Sequence, residues 1–235
     1  MAEAMARDTA MARSGELAAP RVIVSSNGFV IALYHRSAAF RATMDAVDLI
    51  DADGMPLVLF TRAFWKHPLP ERLATTDFIH DAAAKAVETG VKFYFLGARP
   101  GIAAAAAETL CAQYPGLQIV GTRHGYFTEA EEDAICDEIR ASGAEVLWVG
   151  MGTPRQESFA IRRRAQLQGL AWIRTCGGLF DHVGAHVPRA PMWMQNVGLE
   201  WLHRTMIEPR RLAPRYLSTN FSALYHLIAK SRERP

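Results

Sequence analysis

The chain of 235 residues is half hydrophobic and carries a formal net charge of +2, so it can bury one sizeable core and gives no reason to expect a nucleic-acid partner. Its three cysteines, Cys111, Cys136 and Cys176, are widely spaced and odd in number. That indicates neither a disulfide framework nor a zinc knuckle and suits a reducing cytoplasm. No apolar stretch has the length of a secretory core or a membrane span, so neither export nor a transmembrane segment is expected.

Residues 1–18 mix Ala, Arg and Glu and read as a disordered tail. Beyond them, short β-rich runs alternate with helical ones. Residues 21–24 read as a strand, 36–47 as a helix, and 48–50 as a second strand leading to a turn at Asp53-Gly54. The run 91–97 is a clearer strand, followed by a helix over 102–113 in which Ile102, Ala106 and Leu110 form one i, i+4, i+8 stripe. A strand at 117–120 and a loop over 121–127 precede a helix opened by Thr128-Glu-Ala-Glu131, which has capping-box spacing. Residues 144–150 form the next strand. Thr153 then reads as an N-cap with Pro154 in the first turn, and 171–175 supplies a further strand. Strands alternating with helices predict an α/β fold, a Rossmann-like parallel sheet with helices on both faces, over 19–186.

The end of the chain differs. From Arg189 onward eight Lys/Arg face three Glu, a formal +5 that leaves −3 for the rest, so the near-neutral total hides two electrostatic parts. Leu217, Phe221, Leu224 and Ile228 recur at helical spacing, which makes 187–235 a basic, amphipathic C-terminal appendage. Such a helix suits docking on the core or lying on an anionic membrane, and its apolar surface also suits a homo-oligomer.

In parallel α/β sheets, ligands bind beyond the carboxyl ends of strands, which singles out Ser25-Ser26-Asn27, Asp51-Ala-Asp53-Gly54, the loop from Gly97 to Gly101, and the loop from Gly150 to Glu157. Asp53 suits a general base, because a carboxylate beside a sugar hydroxyl can take its proton; an ordinary turn aspartate is the plainer alternative. Asp51-Ala-Asp53 has the D-x-D form that can share a divalent cation, and His182 with His186 has i, i+4 spacing, but Gly184 interrupts that helix and no third ligand is evident. The glycine loops lack both the dinucleotide fingerprint and the Walker lysine, leaving helix-start amides near Arg99 and Thr153 as phosphate donors.

Taken together, these segments resemble the WecB/TagA/CpsF glycosyltransferases, family 26, in order from about residue 22 to 216. The resemblance is carried by Asp53-Gly54, Glu71-Arg72, Asp77, Tyr114-Pro-Gly-Leu117, His124-Gly-Tyr-Phe127, Gly150-Met-Gly-Thr-Pro-Arg-Gln-Glu157, Gly177-Gly178, Phe180-Asp181, Arg189-Ala-Pro191, Gly198-Leu-Glu-Trp201 and Glu208-Pro-Arg210. It implies an inverting, metal-independent transfer from a UDP-sugar to a polyprenyl-diphosphate-linked acceptor at the cytoplasmic face of the membrane, with no cofactor. It implies Asp53 as the base and Ser25 as the hydroxyl at a position usually held by Thr. Asn27, Arg72, Gly97, Gly152 and Gln156 fall on the substrate side, and Arg189, Arg210 and Arg215 in an appendage whose arginines reach the diphosphate. Ser25-Ser26 replaces the family's Thr-Pro, and Thr75-Thr76 also departs from its pattern, while a hydroxyl survives in both. Two other readings stand beside this one: a non-catalytic, membrane-recruited scaffold of polysaccharide assembly, and an NAD(P)-binding α/β enzyme, which the missing glycine fingerprint disfavours.

Overall fold

The computed structural model describes residues 1–185, 187–207 and 209–231, without the side chains of Arg211 and Arg215. Six strands, β1 (Arg21–Ser26), β2 (Leu49–Ala52), β3 (Lys92–Gly97), β4 (Gln118–Arg123), β5 (Val146–Gly150) and β6 (Trp172–Thr175), form one sheet in the order β2-β1-β6-β5-β3-β4. The strands run parallel, with Val22 beside Ile173, Leu147 beside Ile173, and Phe93 beside Val146. β5 and β6 are buried along their whole length, as befits strands with helices on both faces. No helix among the described residues is long and apolar enough to cross a membrane.

The described chain divides into two compact units: Met1–Val24, Ala46–Leu49 and Thr75–Val187 form the first, and Ser25–Asp45, Ile50–Ala74 and Pro188–Pro235 the second. The first holds helices α1 (Ala2–Ser14), α5 (Thr75–Thr89), α6 (Ile102–Gln113), α7 (Glu132–Ala141), α8 (Arg155–Arg163) and α9 (Leu179–Gly184). The second holds α2 (Gly28–Arg36), α3 (Ala38–Asp45), α4 (Met55–Phe64), α10 (Met192–Asn196), α11 (Glu200–Ile207) and α12 (Pro209–Lys230).

The core of the first unit is aromatic. Trp148 of β5 lies 5.8 Å from the Phe78 ring of α5 and 5.7 Å from Phe93 of β3. All three are fully buried, and each such ring adds contact energy beyond its area. α1 joins the same unit, where the sequence reading expected a tail. Met5, Asp8 and Thr9 are buried there, Asp8 accepts a hydrogen bond from Trp172 Nε1 at 2.8 Å and pairs with Arg21 at 2.9 Å. An Ala-rich segment with few apolar residues thus gains order from one buried carboxylate with partners far along the chain.

Three other expectations change. The helix expected over 36–47 is two: Ser37 is extended, closes α2, and its Oγ accepts from Phe40 N at 3.2 Å to open α3. β4 continues to Arg123, because Gly121 lets the Tyr94 ring lie across it; a Cβ there would sit 2.3 Å from the ring. The N-cap of α8 is Pro154, since the Thr153 hydroxyl donates instead to Glu157 Oε1 at 2.9 Å. The capping box at Thr128 and Glu131 is present as expected.

Within the second unit, α12 packs against α2 through small residues. A Cβ on Gly28 would lie 3.5 Å from Ala223 Cβ, and Leu212, Thr219 and Ala223 are buried. Leu217, Phe221, Leu224 and Ile228 lie on another face, 69, 76, 52 and 65 % exposed. Docking and the apolar stripe therefore use different sides of one helix.

Candidate active site

Two parallel strands end where the second unit begins, and their following loops meet. Asp53 N donates to Ser26 O at 2.9 Å, and a Cβ on Gly54 would stand 3.8 Å from Asn27 Cβ. Asn27 is the N-cap of α2: its Oδ1 accepts from Phe29 N at 3.0 Å and Val30 N at 3.2 Å. Its oxygen is thus committed to the helix start, a role that a substrate-side reading does not require. Leu73 N donates to Ala52 O at 2.9 Å, which brings Arg72 to the same strand end as Asp53.

The C-terminal segment of this unit comes to the same place. Gly198, with φ +78°, leaves room for the Pro56 ring, which a Cβ would approach to 3.1 Å. Pro56 stands three residues after Asp53. Beside it, Arg72 Nη1 donates to Glu200 Oε2 at 2.8 Å and Arg72 Nη2 to Gln195 Oε1 at 3.0 Å. Arg189 Nη2 donates to the same Gln195 oxygen at 2.8 Å, and its Nε lies 3.7 Å from Glu200 Oε1. Two planar cations therefore converge on one amide and one carboxylate. Gln195 is itself fixed, because its Nε2 donates to Ala190 O at 2.7 Å.

Of the residues singled out from sequence, Ser25, Asn27, Asp53, Arg72 and Arg189 lie in this unit. Arg210 is exposed in the first turn of α12. The side chain of Arg215, and His186 and Glu208, lie outside the described residues. Gln195 and Glu200 carry the convergence yet had no assigned role. Glu200 lies within the motif Gly198-Leu-Glu-Trp201, but its partners are 128 and 11 positions away and spacing does not reveal them.

Gly97, Gly152 and Gln156 lie in the first unit, at the carboxyl ends of β3 and β5. Gly97 has φ +152°, and a Cβ there would sit 2.3 Å from Gly150 O, so the position accepts only glycine. Gly152 N donates to Gln156 Oε1 at 3.2 Å, and Gly177 N donates to the same oxygen at 3.1 Å. Gln156 is thus a brace between two glycine loops, 5 % exposed. Its Nε2 donates to Glu157 Oε1 at 2.8 Å. Burial pushes the Glu157 carboxyl above the usual carboxylate range, against the bonds from Gln156 and Thr153. Among the described residues no three His, Cys, Asp or Glu side chains converge as for a metal ion.

A carboxylate at a strand end and a pair of arginines in the same compact unit have the chemistry needed to take a proton and hold a phosphate-bearing group. The family model of the WecG/TagA/CpsF glycosyl transferases matches residues 1–235. The chain belongs to the WecG/TagA/CpsF family of glycosyl transferases.

Proposed function

We propose that this glycosyltransferase moves a sugar from a UDP-sugar to a polyprenyl-diphosphate-linked saccharide, with inversion and without a metal ion, in building a cell-surface or exported polysaccharide. The observation that carries the reading is the bond from Leu73 N to Ala52 O, which joins the neighbours of Arg72 and Asp53 in the compact unit that also holds the Arg72 and Arg189 pair. In a direct displacement the acceptor hydroxyl oxygen attacks the anomeric carbon. Its proton passes to Asp53, and the electron pair of the old glycosidic bond leaves on a UDP phosphate oxygen. Charge grows on that oxygen as the bond breaks, and an arginine fork aimed there stabilises the transition state more than the ground state. Ser25, at the end of β1, is the further hydroxyl in this proposal.

The exposed stripe Leu217, Phe221, Leu224 and Ile228, with the basic excess around it, supports a peripheral position on an anionic cytoplasmic leaflet. There it would meet a lipid-borne acceptor. The test is UDP release from a panel of UDP-sugars with a polyprenyl-diphosphate sugar acceptor and no added metal, comparing the parent with Asp53→Asn. Acceptor-dependent release that falls about a hundredfold or more in the variant supports Asp53 as base. Equal rates remove Asp53 from the mechanism, and no release from any donor favours the non-catalytic scaffold.

A further inference from the structure

The contacts of Arg72 and Arg189 place two like charges at one oxygen. Both Nη2 groups lie within 3.0 Å of Gln195 Oε1, and the amide is 5 % exposed. A neutral amide alone does little to offset the repulsion between two guanidinium groups held this close. Glu200 contributes to the offset: its Oε2 takes Arg72 at 2.8 Å while Oε1 faces Arg189 Nε at 3.7 Å. The Arg72 and Arg189 side chains are 13 % and 25 % exposed and Glu200 is 27 % exposed, so solvent reaches the carboxylate more readily than Arg72. Arg72 hydrogen-bonds the carboxylate at 2.8 Å, whereas Arg189 Nε stands at ion-pair distance, 3.7 Å. Gln195 is anchored from behind by Ala190 O, which turns its oxygen to both arginines. The carboxylate and the amide differ in kind: one is a charge that another anion can replace, the other a fixed acceptor that sets spacing.

We propose that Glu200 is a resident counter-ion, holding Arg72 and Arg189 together as one cradle and yielding its place to a diphosphate, while Gln195 is the positioning residue that keeps the two forks aligned. The inference rests on the reading of Arg72 and Arg189 as the phosphate-facing pair. A diphosphate supplies more than one anionic oxygen and so can satisfy both forks, which a single carboxylate does unevenly. A counter-ion built into the chain also keeps the cradle assembled between turnovers and lowers its hold on the departing anion, since any bound diphosphate competes with Glu200.

The experiment uses the full chain and titrates inorganic diphosphate, UDP and geranyl diphosphate by calorimetry at low salt, with thermal unfolding measured in parallel. Glu200→Gln keeps an acceptor and removes the competing charge. It is expected to unfold at a lower temperature when ligand-free, to bind inorganic diphosphate about tenfold more tightly, and to gain more stability from it than the parent gains. Gln195→Glu places a second carboxylate on the arginines and is expected to lose at least tenfold in diphosphate affinity while keeping or raising its unfolding temperature. A purely structural role for these residues would weaken binding in both variants alike. Unchanged or weaker diphosphate binding by Glu200→Gln overturns the proposal, as does the absence of binding in parent and variant. If Glu200→Gln does not fold, Glu200→Asp, which draws the charge back by one methylene, is expected to tighten binding in the same direction; no tightening overturns it equally. A gain confined to UDP sets the cradle on the donor, and a gain confined to geranyl diphosphate sets it on the acceptor; each supports it. Because the readout is binding, full activity in Asp53→Asn would sink the proposed mechanism and leave the cradle standing. Transfer that follows Asp53, with diphosphate affinity indifferent to Glu200, would sink only the cradle.

Discussion

Glu157 takes the Gln156 amide N–H at 2.8 Å, and that bond decides which way round the Gln156 amide faces. With its nitrogen turned to Glu157, its oxygen is free to accept from Gly152 N and Gly177 N. Glu157 Oε2 is buried without a hydrogen-bond partner in the structure, so the carboxyl is held in place at a cost in desolvation.

That cost sets a pH dependence. Burial raises the carboxyl above its ordinary value of 4.5, so the folded protein keeps this proton where the unfolded chain has lost it. Stability from this group therefore falls as pH rises from about 4.5 through the raised value and stays low above it. Glu157→Gln keeps an acceptor for Thr153 and Gln156 and never ionises. Relative to the parent, its melting temperature is expected to be higher at pH 8 than at pH 4; a difference that does not change with pH would contradict this.

Two glycines in the same loops should respond unequally to alanine. Gly97 combines φ +152° with a Cβ position 2.3 Å from backbone, whereas Gly152 has φ +77° and open space. Gly97→Ala is expected to cost about 3 kcal/mol or more, from strain and overpacking together. Gly152→Ala should cost about 1–2 kcal/mol, the price of a left-handed L-residue alone. Urea titration of both variants checks the order.

In the second unit His35 and His226 stack with ring centroids 3.7 Å apart, across α2 and α12. The pair lines an apolar cavity of about 210 Å³ with Val30, Ile31, Met44 and Leu227. Burial first, then each other or nearby Lys230, Arg41 and Arg36, holds both imidazoles below 6.5. Tyr34 hydrogen-bonds Asp45 at the same corner. The folded form thus binds fewer protons than the unfolded chain: the contribution is full above about 6.5 and is lost as pH falls from there towards the lowered folded values. His226→Phe keeps a stacking ring without a titration. Its melting temperature should drop less between pH 7 and pH 5 than the parent's, as differential scanning fluorimetry would show.

The α12 stripe separates membrane affinity from folding. Phe221 and Ile228 are 76 % and 65 % exposed, so Phe221→Ser with Ile228→Ser should leave stability within about 0.5 kcal/mol of the parent. Each buried large side chain contributes about 1.5–3 kcal/mol to lipid partitioning, so binding to phosphatidylglycerol vesicles should fall at least about tenfold. Retained binding would show that the stripe does not enter lipid.

The alternation of strands and helices was legible because β3 and β5 are continuous apolar runs flanked by glycine and by helical periods. Long-range polar pairing was not. α1 looked like a tail because Asp8 finds Trp172 only across 164 positions. The periodicity of α12 marked an amphipathic helix but not its docked side, since Thr219 and Ala223 carry no hydrophobic signal comparable to Phe221. Asp53 and Arg72 were visible through the family motif, while Gln195 and Glu200 became meaningful only when folding set them on the two arginines. Thr153 reads as a cap because the sequence gives no warning that a buried glutamate four residues on claims its hydroxyl.

The pairing of Arg21 with Trp172 and Val22 with Ile173 has a consequence for how the chain is made. β1 leaves the ribosome before β6, its neighbour towards the centre of the sheet, which is synthesised about 150 residues later, roughly 8–30 s at ordinary elongation rates. Through that interval Val22, Ile23 and Val24, all fully buried in the finished protein, present an open strand edge. Nascent chains stalled or cut before Trp172 are therefore expected to aggregate more readily than the completed fold.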